Sequence, residues 1–142
     1  VIGVIDTDGD CAEWAFPAEP GAVRTARHAV RGALRDWGLD SVGDVTVLLV
    51  SELVTNSLRY ASGPIGVRLV RQNSASDGSP GRPALLVEVS DPLPDPPRER
   101  KAGTDDEGGR GLHLVAVSSQ RWGTRHGDSG KTVWFELALP GE

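Results

Sequence analysis

The sequence predicts an α/β fold, a two-layer sandwich in which a mixed sheet of about five strands carries about three helices on one face. Two observations lead there. The apolar repeat switches along the chain between the two-residue period of a strand and the 3.6-residue period of a helix, in the order β-α-α-β-β-loop-α-β-β. Turn-forming residues fall between those segments rather than inside them. A chain of 142 residues has the length of one ordinary domain and can bury a core without disulfides or a structural metal.

Residues 1–10 read as an N-terminal extension and 11–142 as the domain. Cys11 to Phe16 alternates in character and stops at Pro17, as a short edge strand does. From Glu19 to Trp37, the residues Ala22, Val23, Ala26, Ala29, Val30, Ala33, Leu34 and Trp37 recur at helical spacing, with Arg24, Arg27, Arg31 and Arg35 turned outward. A second helix runs from about Ser41 to Tyr60 and is closed by Ser62-Gly63-Pro64. Ile65 to Gln72 and Ala84 to Asp91 read as strands joined by a loose loop rich in Ser, Gly and Pro. Residues 92–108, proline-rich and densely charged, are too polar and interrupted for a core element and read as a lid. Gly108-Gly109-Arg110-Gly111 then opens a short apolar helix, Leu112 to Ser118. Two last strands, about Arg121 to His126 and Lys131 to Leu139, flank the hairpin turn Gly127-Asp128-Ser129-Gly130.

The formal net charge of -5 argues against a general attraction to nucleic-acid phosphates or anionic membrane surfaces, so a protein or small-molecule partner fits better. Cys11 is the sole cysteine, which excludes an intrachain disulfide and a cysteine-rich metal site and makes a reducing cytoplasm the natural setting. No uncharged apolar run approaches the roughly 20 residues that span a bilayer. His28, His113 and His126 lack zinc-ligand spacing, and no Gly-x-Ser-x-Gly elbow is present. The tryptophans at 14, 37, 122 and 134 read as packing residues.

On the second helix, Val45, Leu48 and Leu49 share a stripe with Glu52 and Asn56, with Arg59 at its edge. A carboxylate and an amide therefore occupy the face expected to be buried. Either they face a cavity, a metal or a ligand, because burying them unpaired costs on the order of 1 to 3 kcal/mol or more, or that end of the helix emerges into solvent. The glycines at 108, 109 and 111 lead into a helix, where backbone N–H groups and the helix dipole suit a phosphate. A hinge is the plainer reading. Asp91 ends a strand, placed to accept a hydrogen bond from a ligand amino group or to cap the turn before Pro92. Thr132 in the last strand is ordinary β chemistry.

Taken in order, four segments resemble the GHKL ATPases of the Bergerat fold: Ser51-Glu-Leu-Val-Thr-Asn-Ser57 on a helix, Val89-Ser-Asp91 at a strand end, Gly109-Arg-Gly-Leu112 opening a helix, and Gly130-Lys-Thr-Val-Trp134 in the last strand. Within that family the chain is similar to the small anti-sigma-factor serine kinases and their relatives in high-GC actinobacteria. The resemblance covers about residues 12–139. It implies that Glu52 is the catalytic general base, that Asn56 is a Mg²⁺ ligand and that Asp91 reads the adenine amino group. It implies further that Gly109, Arg110, Gly111 and Leu112 form the phosphate side and that Thr132 lies near the adenine. The family's Asp-x-Gly-x-Gly is Asp91-Pro-Leu-Pro-Asp95 here, without either glycine, so proline stiffens the start of the lid.

The resemblance therefore implies an ATP-binding regulatory protein with ATP and Mg²⁺ as cofactors. Such a protein would be an anti-sigma factor and serine/threonine protein kinase that phosphorylates an anti-sigma-factor antagonist in the cytoplasm. Its partners would be a sigma factor and the antagonist protein, with a homodimer as in the family, and without direct nucleic acid or membrane contact. Two alternatives stand beside it: a non-catalytic nucleotide-binding protein-interaction module using the exposed arginines of the first helix, and the catalytic domain of a histidine kinase.

Overall fold

The computed structural model describes residues 3–7, 10–60, 63–74, 82–92, 107–127 and 130–140, with the backbone alone for 3–7, 60, 73–74 and 107–110. Strands β1 (Gly3–Thr7) and β2 (Cys11–Phe16) precede helix α1 (Ala22–Asp36), and a single 3-10 turn, Asp40–Val42, leads into α2 (Gly43–Tyr60). There follow β3 (Ile65–Ser74), β4 (Arg82–Asp91), α3 (Glu107–Ser118), β5 (Arg121–Gly127) and β6 (Gly130–Ala138).

The strands form one six-stranded sheet in the order β1-β2-β3-β4-β6-β5. The sixth strand is β1, which the sequence leaves in the extension; it pairs with β2 through a register irregularity between Val4 and Asp6. Every described strand pairing is antiparallel, so the sheet is not mixed as expected. The connections explain this. Two helices between β2 and β3 return the chain in the opposite direction, and β3 leads straight back into β4. A single helix between β4 and β5 sets those two strands parallel, the usual crossover geometry, but β6 inserts between them and pairs antiparallel with both.

One face of the sheet carries the helices. Trp14, Val67, Val87, Val89 and Phe135 point there, and α1 adds Ala22, Ala26, Val30 and Leu34, all buried. The four α1 arginines face outward as the helical period predicts. On α2 the buried stripe runs through Thr46, Val50, Leu53 and Ser57, while Leu48 is 45% exposed. At 100° per residue Leu48 lies on the far side from that stripe, so it is a surface residue and not part of the stripe expected from sequence. Glu52 and Asn56 lie on its flank, about a third and about a quarter of a turn from its centre, and both are half-buried. Thr46 satisfies its buried hydroxyl on the Val42 carbonyl at 2.7 Å.

Candidate functional site

Glu52 and Asn56 are one helical turn apart and therefore share a flank of α2. That flank meets α3 at Gly111. A Cβ at Gly111 would come 2.9 Å from Asn56 Nδ2 and 3.6 Å from the Glu52 Cβ, so only a glycine allows this approach without movement. The glycine cluster does not precede α3 as the sequence reading has it: the helix begins at Glu107 and contains the glycines. Gly109 is in the first turn, where backbone N–H groups lack intrahelical partners. Gly111 is two positions further, where its N–H belongs to the helix, so its part is close packing rather than anion binding. The Arg110 side chain is outside the described residues, and Leu112 is partly buried against the core.

The neighbour of Asn56 faces a different partner. Ser57 is 4% exposed, and its Oγ donates to Asp91 Oδ2 at 2.9 Å. Asp91 closes β4 with its side chain 2% exposed, and Lys131 Nζ of β6 stands 3.8 Å from the same oxygen. Pro92, the next residue, packs on the loop that follows α2: a Cβ at Gly63 would meet Pro92 Cγ at 2.6 Å. The end of α2, the end of β4 and the start of β6 thus converge. A cavity of about 420 Å³ opens at this end of β4, β5 and β6, bordered by Asp91, His126 and Lys131 from one face and by Ser90, Arg125 and Thr132 from the other, with no residue of α2 or α3 in its lining.

Thr132 borders the same cavity as Asp91 but from the other face of the sheet. Its Oγ1 lies 2.8 Å from Ser90 Oγ, its partner across the β4–β6 ladder. Since side chains alternate along a strand, Ser90 and Thr132 point to the sheet face opposite Asp91 and Lys131. The same alternation was available in the sequence. Val133, Phe135 and Leu137 are the buried face of β6, and Lys131 shares their parity while Thr132 shares that of Trp134. Ser57 and Lys131 are the two residues that motif reading missed. Arg59, placed at the stripe's edge, is exposed. The lid, 92–108, falls for the most part outside the described residues.

The helix-free face of the sheet carries its own charge network. Burial pushes the Glu88 carboxyl up, but hydrogen bonds from Arg125 at 2.6 Å and Arg68 at 2.9 Å outweigh it and hold the group below its ordinary value. Glu136, 1% exposed, accepts from Gln72, Gln120 and both arms of Arg121. The hydrogen bond to Glu136 also raises the Arg121 guanidinium. These groups brace strands and lie on the side away from Asp91.

For a Mg-nucleotide the donor set is suitable. A buried, hydroxyl-oriented carboxylate beside a cavity can take a base amino group, and Mg²⁺ needs only one or two protein oxygens when phosphates and water supply the rest. Asn56 offers such an oxygen at the α2–α3 contact. Among the described residues no group of three or more His, Cys, Asp and Glu side chains could hold a metal ion, and no helix is long and apolar enough to cross a membrane.

Residues 16–137 match the family model of the histidine kinase-like ATPase domain. Among solved structures, the chain is similar to the RsbU and RsbW domains of Rv1364c from Mycobacterium tuberculosis, with a TM-score of 0.64 and 23% identity. That likeness covers 93% of this chain and 34% of the other, so the chain spans about a third of its neighbour's length and shares its fold. No curated protein matches.

Proposed function

The chain belongs to the histidine kinase-like ATPase family, and on that premise we propose that it is an ATP-binding regulatory protein, an anti-sigma factor and serine/threonine kinase directed at an antagonist protein. The observation that carries the reading is the buried Asp91, oriented by Ser57 beside a cavity, one residue along α2 from Asn56 at the α3 contact. The RsbW domain named in the neighbouring structure supports the regulatory class. Its partners are a sigma factor and the antagonist, its setting the cytoplasm, and its assembly a homodimer.

Asp91 accepts the exocyclic amino group of the base. The first-turn N–H groups of α3, Gly109 among them, face phosphate oxygens with the positive end of the helix dipole behind them. Asn56 would hold Mg²⁺ through its side-chain oxygen, and Gly111 lets α3 approach Asn56 closely. Bound ATP with its Mg²⁺ supplies an activated phosphoryl group whose charge the metal offsets. Glu52, on the same flank as Asn56, receives the proton of the attacking hydroxyl.

Titration with ATP, with and without Mg²⁺, tests the binding half. The catalytic half rests on Glu52→Ala, which is expected to bind ATP within about threefold of the parent while phosphate transfer to the antagonist falls by 10²-fold or more, on the scale of general-base loss. Full transfer by that variant removes Glu52 from the role of base. The sequence Asp91-Pro-Leu-Pro-Asp95, which lacks both glycines of the family's pattern, favours a second reading, a nucleotide-binding interaction module without turnover; binding of ATP with no transfer to any co-encoded antagonist would decide for it.

A further inference from the structure

The β6 residue turned toward Asp91 is Lys131, and it is held there from two sides. Asp91 and Lys131 are partners on one rung of the β4–β6 ladder, so their side chains leave the sheet on the same face. Gly130, immediately before, has φ +150° and lies so close to the Asp91 carbonyl that a Cβ would collide with it. The start of β6, and with it the Lys131 backbone, is therefore fixed against the end of β4. The Lys131 side chain is 23% exposed and the Asp91 side chain 2%, so the ammonium is partly in contact with solvent while the carboxylate is buried.

At 3.8 Å the two charged groups are attracted but not hydrogen-bonded. The ammonium's three donors are not committed to that carboxylate. Ser57 already orients the carboxylate, so Asp91 does not depend on lysine to be oriented. Asp91 and Lys131, an acceptor and a donor on one rung, thus both border the cavity. Adenine carries the complement on one edge, the amino donor at N6 next to the acceptor at N1.

We propose that Lys131 is a second base-reading residue, donating to adenine N1 while Asp91 accepts from N6. The assignment rests on the nucleotide reading above and sharpens it: selection of the base is shared between two strands. Thr132 borders the same cavity, but its hydroxyl is engaged with Ser90, whereas Lys131 shares the rung and the face of Asp91.

The test uses the full chain, with ATP and 1-deaza-ATP, which keeps the amino group and lacks the N1 acceptor, titrated calorimetrically. A hydrogen bond to a charged donor at a partly wet site predicts a preference of about tenfold for ATP in the parent. Lys131→Met is expected to bind ATP about tenfold more weakly and 1-deaza-ATP unchanged, which brings the ratio near one; Lys131→Arg keeps most of the preference. A parent ratio near one overturns the proposal without calling on any variant. An equal loss of both nucleotides in Lys131→Met, or tighter ATP binding, makes the lysine a brace or a competitor for Asp91 and overturns it too. Failure of the parent to bind ATP at all strikes the nucleotide reading itself, an outcome distinct from these.

Discussion

At the scale of single residues the site depends on a buried carboxylate. Asp91→Asn keeps the shape and leaves an oxygen for the Ser57 hydroxyl, but removes the charge that faces Lys131. The melting temperature should move by only a few degrees while ATP affinity falls about tenfold or more, as thermal unfolding and titration of the same sample would show; equal affinity would take Asp91 out of the base site. Gly130→Ala is expected to act in the opposite way. The added methyl meets the Asp91 carbonyl in a backbone conformation that L residues avoid, which predicts a loss of about 1 to 3 kcal/mol in denaturant unfolding. The residues of the site were legible to different degrees. Glu52 and Asn56 stood out because polar groups interrupt an apolar period, whereas Asp91 at a strand end was singled out by the family resemblance. Lys131 did not, because a charged residue at a strand's start reads as solvated unless its parity with Val133, Phe135 and Leu137 is followed.

At the scale of elements, the helices and strands follow from periodicity, and the discrepancies have local causes. The phase of α2 was set from Leu48 and Leu49 together, yet an apolar Leu48 is exposed and a polar Thr46 is buried with its hydroxyl on Val42; hydrophobicity alone cannot rank those two. The glycines of α3 looked like a pre-helical loop because propensity disfavours them inside a helix, but the α2–α3 contact requires the missing Cβ at 111. Gly111→Ala therefore gains helix propensity and loses fit. Stability should change by less than about 1 kcal/mol as these offset, while Mg-ATP affinity drops through displaced Asn56. On the helix-free face, Glu88 links β3, β4 and β5 through Arg68 and Arg125. Its folded value lies below the ordinary 4.5, so on acidification the unfolded chain takes up this proton first. The stabilising contribution is whole above that pH and is lost as pH falls through the folded value. In urea titrations the stability gap between parent and Glu88→Gln should be widest near neutrality and narrow below about pH 4; a gap independent of pH would mean that the charge contributes nothing.

At the scale of the molecule, the two-layer sandwich and the single helical face were readable from element order, whereas the antiparallel sheet was not. Local periodicity reveals that strands exist but not which pairs form, and the position of β6 depends on contacts far apart in sequence. The edge strand β1 lies at the opposite edge from β5, three places from β4. Removing residues 1–9 is therefore expected to lower the melting temperature, by taking away the pairing on β2, and to leave the ATP dissociation constant within about twofold; a large loss of binding would show that the edge communicates with Asp91.

The insertion of β6 between β4 and β5 has a consequence for the order of assembly. Of the six strands it is the last in sequence, yet it occupies an interior place, so β5 has no neighbour in the sheet until β6 arrives and β4 waits with one side open. Such late, long-range pairing is slow relative to the hairpin β3–β4. Asp91 belongs to the local β3–β4 hairpin, whereas Lys131 and the wall around it belong to the final strand. A ligand held by both would bind the finished sheet and none of its precursors, and would stabilise the completed state by mass action.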